Sequence, residues 1–322
     1  DITDLPRTKA ILSRFPKAHL VEIKKYQTIF NKRTQNFRLQ KQNPALILAR
    51  KHDNFVLPAP DGFGMRLRKN YYFSHMYNCI YDCRYCFLQG MYSSANYLIF
   101  VNYEDFFTSI EDKIKADHKE RITFFSGYDC DSLAFEKITA FVKNALPFFK
   151  QYPWVELELR TKSVQLEPLI SSEILPNCIV AFSLMPAKLA AKLDQKAPKV
   201  QHRIAAIKRL ASMGWPIGLR FDPLIYCENW RHLYQELIAE IIDDAVIRAV
   251  HSVSYGPLRY PKQMYQQITK LYPDEVFFAS SMTQNQGFIS YGETIEREMS
   301  DYLSEQLINY ISTDNIFQCV IK

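Results

Sequence analysis

The 322-residue chain has no run of 18 or more apolar residues, so a membrane-spanning helix is not expected. Its first residues, Asp1-Ile2-Thr3-Asp4-Leu5-Pro6-Arg7, lack the basic and then apolar pattern of a signal peptide. No internal repeat and no low-complexity tract is present. The seven cysteines are odd in number, and a disulfide framework is not expected in a chain of this length without a secretory start. Thiols left unpaired in this way are expected of a cytoplasmic protein.

What remains is a chain that can bury a large core, since 48% of its residues are hydrophobic. The net charge of +6 is unevenly placed: residues 1–78 hold 15 Lys and Arg against 5 Asp and Glu, so the remainder is net acidic. A basic front section is compatible with a polyanion such as DNA, or with an ordinary solvated surface. The sequence pI near 8.8 lies below the range of a clear nucleic-acid footprint.

Three of the seven cysteines crowd into Cys79-Ile80-Tyr81-Asp82-Cys83-Arg84-Tyr85-Cys86, with three and then two residues between them. Three thiolates can hold three irons of a 4Fe-4S cube and leave the fourth iron open for a substrate or cofactor, whereas four close it. Structural zinc would need a fourth ligand. His75 is near in sequence, but this compact order is not a usual zinc-finger spacing.

The CxxxCxxC motif with Tyr85 before its last cysteine resembles the radical S-adenosylmethionine (SAM) superfamily. Within it, Thr161-Lys162, Phe182-Ser183, the 198–214 segment and Gly214-Trp215-Pro216-Ile217-Gly218 are similar in order and spacing to the spore photoproduct lyase family. The resemblance implies a cluster on Cys79, Cys83 and Cys86, with SAM on the open iron. It also implies cleavage of SAM to a 5′-deoxyadenosyl radical that abstracts hydrogen from substrate, and an electron donor such as a flavodoxin or ferredoxin. By the same match Lys162 pairs with the SAM carboxylate, Ser183 hydrogen-bonds near the ribose, and Tyr85 lies beside the adenine.

Along the chain, a short helix is expected after Leu5-Pro6 and a strand over 19–23. A core segment follows at 45–49, and Leu57-Pro58-Ala59-Pro60-Asp61-Gly62 is turn chemistry, which places a boundary near residue 65. Strand patterns at 71–73, 122–125, 155–160, 179–184, 217–221 and 249–254 then alternate with helical periods at 106–115, 133–149, 200–213 and 233–242. A further edge or connecting strand is expected at 97–101, and a late helix at 295–311. Six units are too few for a closed eight-fold barrel. The expected architecture is α/β, a partial (β/α)6 barrel over 66–256, with a basic N-terminal extension (1–65) and a C-terminal extension (257–322). The radical SAM resemblance implies the same.

In parallel α/β folds the working residues follow the strand ends. That rule selects residues 126–132, with Tyr128 and Cys130, and 160–163, with Arg160 and Lys162, then Ser183 and Asp222, with Arg220 two residues before Asp222. Each has an ordinary alternative: Lys162 as a surface lysine, Ser183 as a turn cap, Asp222 before Pro223 as turn chemistry, Cys130 as an inert buried thiol. Arg220 among apolar neighbours needs a partner, and Asp222 on the same face is the candidate. Arg220 and Asp222 join Tyr85, Lys162 and Ser183 as the expected cofactor-binding set.

Two departures from the family pattern concern the substrate step. Phe87 follows the last cysteine where the repair enzyme has a tyrosine, and ungapped alignment sets Tyr128 at the position of its hydrogen-donating cysteine, with Cys130 two residues on. The leading expectation is a radical SAM enzyme acting on a DNA pyrimidine lesion. The alternatives are a radical SAM enzyme acting on a protein or small molecule, and a non-catalytic iron-sulfur protein.

Overall fold

The structure is a computed structural model that describes residues 2–60, 62–65, 68–118, 120–280, 282–285 and 287–319. Asp61 of the expected turn and Arg66 at the expected boundary lie outside these residues. Seven strands lie side by side in chain order: β1 Lys69–Phe73, β2 Ile122–Ser126, β3 Val155–Thr161, β4 Cys178–Ser183, β5 Ile217–Leu224, β6 Val250–Pro257 and β7 Ile316–Gln318. Every pair among them is parallel. An antiparallel Leu57–Pro58 strand covers the free edge of β1. The curled sheet is the expected partial barrel, and β1 to β6 are its six expected strands.

The sequence explains the order of the layers. All six residues of β4 are buried, as a strand covered on both faces requires. The helix Val200–Met213 buries Val200, Arg203, Ile204, Ile207, Leu210 and Ala211, a stripe at spacings of three and four, against the sheet. It stops at Gly214, whose φ of 97° lets Trp215 N–H reach back to Leu210 O at 3.1 Å.

Three expected elements come out differently. Residues 19–23 form no strand, and Leu20 and Val21 are 64% and 69% exposed, because no sheet edge stands beside them. The 133–149 helix is broken into Glu136–Thr139 and Phe141–Phe149 around Ala140 at φ 48°. The Glu136 carboxylate accepts from Val142 N–H (3.0 Å) and Lys143 N–H (3.3 Å), serving amides the second helix leaves open at its start. Finally, Tyr97–Phe100 joins a separate small sheet, parallel to Leu46–Ala49 and antiparallel to Met76–Tyr77.

Both flanking segments are built into the barrel. Phe30, Ile47, Ala49 and Val56 share one continuous core with the strands. The C-terminal segment supplies β7 and a three-stranded sheet of Arg259–Pro261, Phe288–Ser290 and Thr283–Asn285. Among the described residues no helix is long and apolar enough to cross a membrane.

Candidate active site

Strand ends and the cysteine loop enclose one cavity of about 580 Å³. Cys79, Cys83, Cys86, Tyr85, Tyr128, Cys130, Lys162, Ser183, Arg220 and Asp222 all line it. The parallel register sets Ser126 of β2 beside Leu159 of β3, Ser183 of β4 beside Arg220 of β5, and Arg220 beside Ser254 of β6. Along β3 the two-residue repeat sends Glu158, Arg160 and, past its end, Lys162 to the cavity side.

The cysteine loop follows β1. Asn78, in a left-handed conformation at φ 68°, donates its amide to Ser94 O (2.8 Å) and Asn96 O (2.7 Å), which fixes the entry to Cys79. Cys83 pairs in a two-residue antiparallel ladder with Asp194, and Arg84 N–H donates to Leu193 O at 2.8 Å. Cys86 N–H donates to Cys83 O at 3.1 Å, and the Leu88–Met91 helix begins just beyond.

Burial pushes the Cys79 thiol up to about 12, with Asp131 adding to the effect. Burial likewise raises Cys83 and Cys86. Buried Cys83 and half-buried Cys79 and Cys86 facing one cavity fit a cluster, whose positive irons supply the charge that thiolates there need. No group of three or more His, Cys, Asp or Glu among the described residues is gathered closely enough to hold one metal ion. A cube asks for something wider, because each thiolate reaches a different iron. His75 stacks on Phe141 at 4.0 Å, and burial holds its imidazole down at about 3. All seven cysteines are free.

Next to the thiols, Tyr85 is buried and donates its hydroxyl to Asp194 Oδ1 at 2.6 Å, while Asp194 pairs with Arg203 at 2.7 Å with both side chains 1% exposed. The Lys162 ammonium lies 5.4 Å from the centre of the Tyr85 ring. Burial alone would lower its pKa, but Cys83 and Asp194 outweigh that and leave it above its ordinary value. Its backbone N–H donates to Asp131 Oδ2 at 2.6 Å. Asp131 Oδ1 accepts from Leu133 N–H, Ala134 N–H and the Thr161 hydroxyl at 3.0, 2.9 and 2.6 Å.

Arg220 does not pair with Asp222. Its guanidinium folds back over Gly218, where a Cβ would fall 2.8 Å from Nη2, and reaches Glu158 at 2.8 Å. It also donates to Ser252 O (3.0 Å) and Ser252 Oγ (2.8 Å), so it is fully occupied by the protein. The curl of the sheet brings β3 close enough to β5 for this pair to form, a closeness that strand order in the sequence does not reveal. Asp222 instead takes the Ser254 hydroxyl (2.6 Å) and Arg160 (3.3 Å), with the Cys319 thiol at 3.5 Å.

The cavity wall carries buried polar atoms with no partner among the described residues: Ser126 Oγ, Asp222 Oδ1, Tyr260 Oη and Asn78 Oδ1. Such atoms cost free energy unless a ligand or water satisfies them, which fits a polar cofactor such as SAM. Tyr128 lies between Tyr72 (centroids 4.4 Å) and Phe87 (5.8 Å) on the same wall, with its ring tilted to both. Cys130 is 8% exposed and packs with Ile11, Met76, Ile99, Val101 and Phe135, with Cys79 among the groups that raise its thiol after burial itself. Sequence reasoning missed Glu158, Asp194 and the C-terminal residues Phe317 and Cys319, and it gave Arg160, which the strand-end rule selects, no role. Only the i, i+2 repeat in β3 could have signalled Glu158.

The family model of spore photoproduct lyase matches residues 68–314. A spore photoproduct lyase of Bacillus subtilis (strain 168) is 24% identical over 245 residues, covering 73% of this chain and 70% of that protein. The fold is similar to that of a spore photoproduct lyase variant with bound AdoMet and dinucleoside spore photoproduct. That likeness has a TM-score of 0.78 at 16% identity, covering 99% of this chain and 96% of the other. A spore photoproduct lyase complexed with dinucleoside spore photoproduct gives a TM-score of 0.80 at 16% identity, covering 99% and 95%. The chain therefore belongs to the spore photoproduct lyase family, and it is a radical SAM enzyme whose cofactors are a 4Fe-4S cluster and SAM.

Proposed function

We propose that this chain acts on a pyrimidine lesion in DNA by hydrogen-atom abstraction. When bound, the cluster and SAM supply the 5′-deoxyadenosyl radical that takes the hydrogen. The observation that carries the reading is one cavity that joins three cysteines and Lys162 to an aromatic wall of Tyr72, Phe87 and Tyr128. Aromatic faces stack bases, and the mixed apolar and polar lining suits a nucleotide beside a polar cofactor. The basic section of residues 1–78 supports contact with phosphates. The reading includes a cytoplasmic location and a flavodoxin or ferredoxin as electron donor.

Within it, Cys79, Cys83 and Cys86 hold the cluster, Lys162 and Ser183 take the SAM carboxylate and ribose, and Tyr85 borders the adenine. Asp222 offers its unpartnered oxygen to the cofactor, and Arg220, through Glu158, holds the strand ends beneath it. Tyr128 gives its phenolic hydrogen atom to the product radical. The phenoxyl that remains takes an electron from the external donor and a proton from solvent. Cys130 borders the cluster side of the wall.

The test is anaerobic turnover of a dinucleotide photoproduct by reconstituted protein, with 5′-deoxyadenosine measured alongside. Wild type is expected to release 5′-deoxyadenosine well above a Cys83→Ala control and to consume the lesion. Tyr128→Phe is expected to keep SAM cleavage and lose at least tenfold in lesion turnover. Loss in Cys130→Ala instead would reassign the donor to the thiol. The departures at Phe87 and Tyr128 favour a second reading, a different substrate such as a protein side chain. SAM cleavage with no lesion consumption would select it.

A further inference from the structure

Two segments remote in sequence converge on the cysteine loop: one brings Lys41, which lines the cavity together with Gln89, and the other brings Tyr272. Lys41 follows the Phe37–Gln40 helix, and Tyr272 follows the Lys262–Leu271 helix. Lys41 Nζ donates to Asp82 Oδ1 (2.8 Å) and Gln89 Oε1 (2.7 Å). The Tyr272 hydroxyl donates to the same two acceptors, at 3.3 and 2.9 Å. Gln89, 2% exposed, passes the constraint inward by donating its Nε2–H to Cys83 O at 3.3 Å. Asp82 is 7% exposed and is also paired with Arg84 at 3.1 Å, whose guanidinium sits 4.5 Å from the Tyr272 ring centre and 3.5 Å from Glu275.

The packing agrees with the polar contacts. Gly90 lets the two short helices approach so closely that a Cβ there would lie 2.9 Å from Gln267 Cβ. The arm that carries Gln267 and Tyr272 also supplies Tyr260, Met264 and Phe288 to the cavity wall. The loop between Cys79 and Cys86 is thus gripped by charge and amide contacts that come from both chain extensions and not from the strand ends.

We propose that Lys41, Gln89 and Tyr272 form a clamp that positions the Cys83 and Cys86 ligands, and that Lys41 sets the electrostatic level of the cluster. This inference rests on the cluster assignment to Cys79, Cys83 and Cys86. A charge next to an iron-sulfur cluster shifts its potential, and hydrogen bonds to its loop fix ligand geometry. Removing the Lys41 cation disfavours added negative charge, so the reduced cluster becomes harder to reach. Removing the Tyr272 hydroxyl slackens the clamp without changing charge.

The test uses the full chain, reconstituted without oxygen, as wild type, Lys41→Met, Lys41→Arg and Tyr272→Phe. Iron retained under a chelator, the cluster midpoint potential, the spectral change on adding SAM, and thermal unfolding of the iron-free chain are measured. Lys41→Met is expected to lose iron at least threefold faster and to move the potential negative. Tyr272→Phe is expected to lose iron faster with the potential held, and Lys41→Arg to restore both readouts. Wild-type iron retention and potential in Lys41→Met and Tyr272→Phe would overturn the proposal. If Lys41→Met does not fold, Tyr272→Phe, one hydroxyl smaller, decides by its iron retention. A wild-type cluster whose spectrum SAM leaves unchanged would sink the radical SAM reading instead, while iron retention still judges the clamp.

Discussion

The strand-end wall of the cavity and the cysteine loop opposite it are held by different kinds of contact. Across the wall, functional groups are fixed by strands in register and by buried pairs such as Glu158 with Arg220 and Asp194 with Arg203. Opposite, the loop is held by a two-residue ladder to Asp194–Gln195, a short helix and scattered hydrogen bonds, and it is clamped by Lys41 and Tyr272 from both chain extensions. A wall of this kind shares its fate with the whole sheet. A loop of this kind can lose its geometry while the sheet stays folded, since local and global stability need not coincide.

The largest expected effect breaks the wall. Glu158→Ala leaves the Arg220 guanidinium, 1% exposed, without its counter-charge. An uncompensated buried charge costs about 3–5 kcal/mol. Urea unfolding of the iron-free chain should show that loss, and a Glu158→Gln/Arg220→Met double variant should recover part of it. Unchanged stability in Glu158→Ala would mean the wall is not built on this pair.

The two regions also differ in how far the sequence revealed them. The six barrel strands and the Val200–Met213 helix were legible because local periodicity and the Gly214 stop agree with the burial they end up in. The cysteines and Lys162 were legible because spacing and strand-end position carry chemistry. Residues 19–23 have the pattern of a strand but no neighbouring edge, and pairing cannot be read from one segment. Arg220 was assigned the wrong partner for a related reason: proximity along one strand suggests Asp222, while the curl of the sheet offers Glu158. Lys41 and Tyr272 gave no signal, since nothing local to a lysine after a short helix or a tyrosine after another marks a shared acceptor on Gln89.

A second stability test uses pH. Glu136 sits just after the Asp131 turn, and burial raises its carboxyl to about 7 even though Val142 and Lys143 amides pull it down. The folded chain therefore holds a proton that the unfolded chain releases near the ordinary glutamate value of 4.5. Between those two values the unfolded state binds fewer protons, so stability falls as pH rises, by roughly 3 kcal/mol at most. Buried His75, held at about 3, adds a slope of opposite sign below about 6.5, so the check is the difference: unfolding followed from pH 4.5 to 7 should show a more negative slope in wild type than in Glu136→Gln. Equal slopes would assign the pH dependence to other groups.

The smallest effect on stability should come from the loop, and it separates the two regions most cleanly. Gly90→Ala places a methyl 2.9 Å from Gln267 Cβ. Overpacking of this kind costs about 1–3 kcal/mol where nothing yields, and alanine in a helix returns roughly 0.5–1 kcal/mol of it. Global unfolding should therefore move by no more than about 2 kcal/mol. The Lys262–Leu271 helix can step back from the loop at that cost, but Tyr272 then withdraws from Gln89, and Gln89 from the Cys83 carbonyl. Gly90→Ala should accordingly release iron faster than wild type with a smaller midpoint shift than that of Glu158→Ala, which should lose the midpoint first. If both variants lose stability and iron in proportion, the loop and the wall are one cooperative unit and the clamp has no separate role.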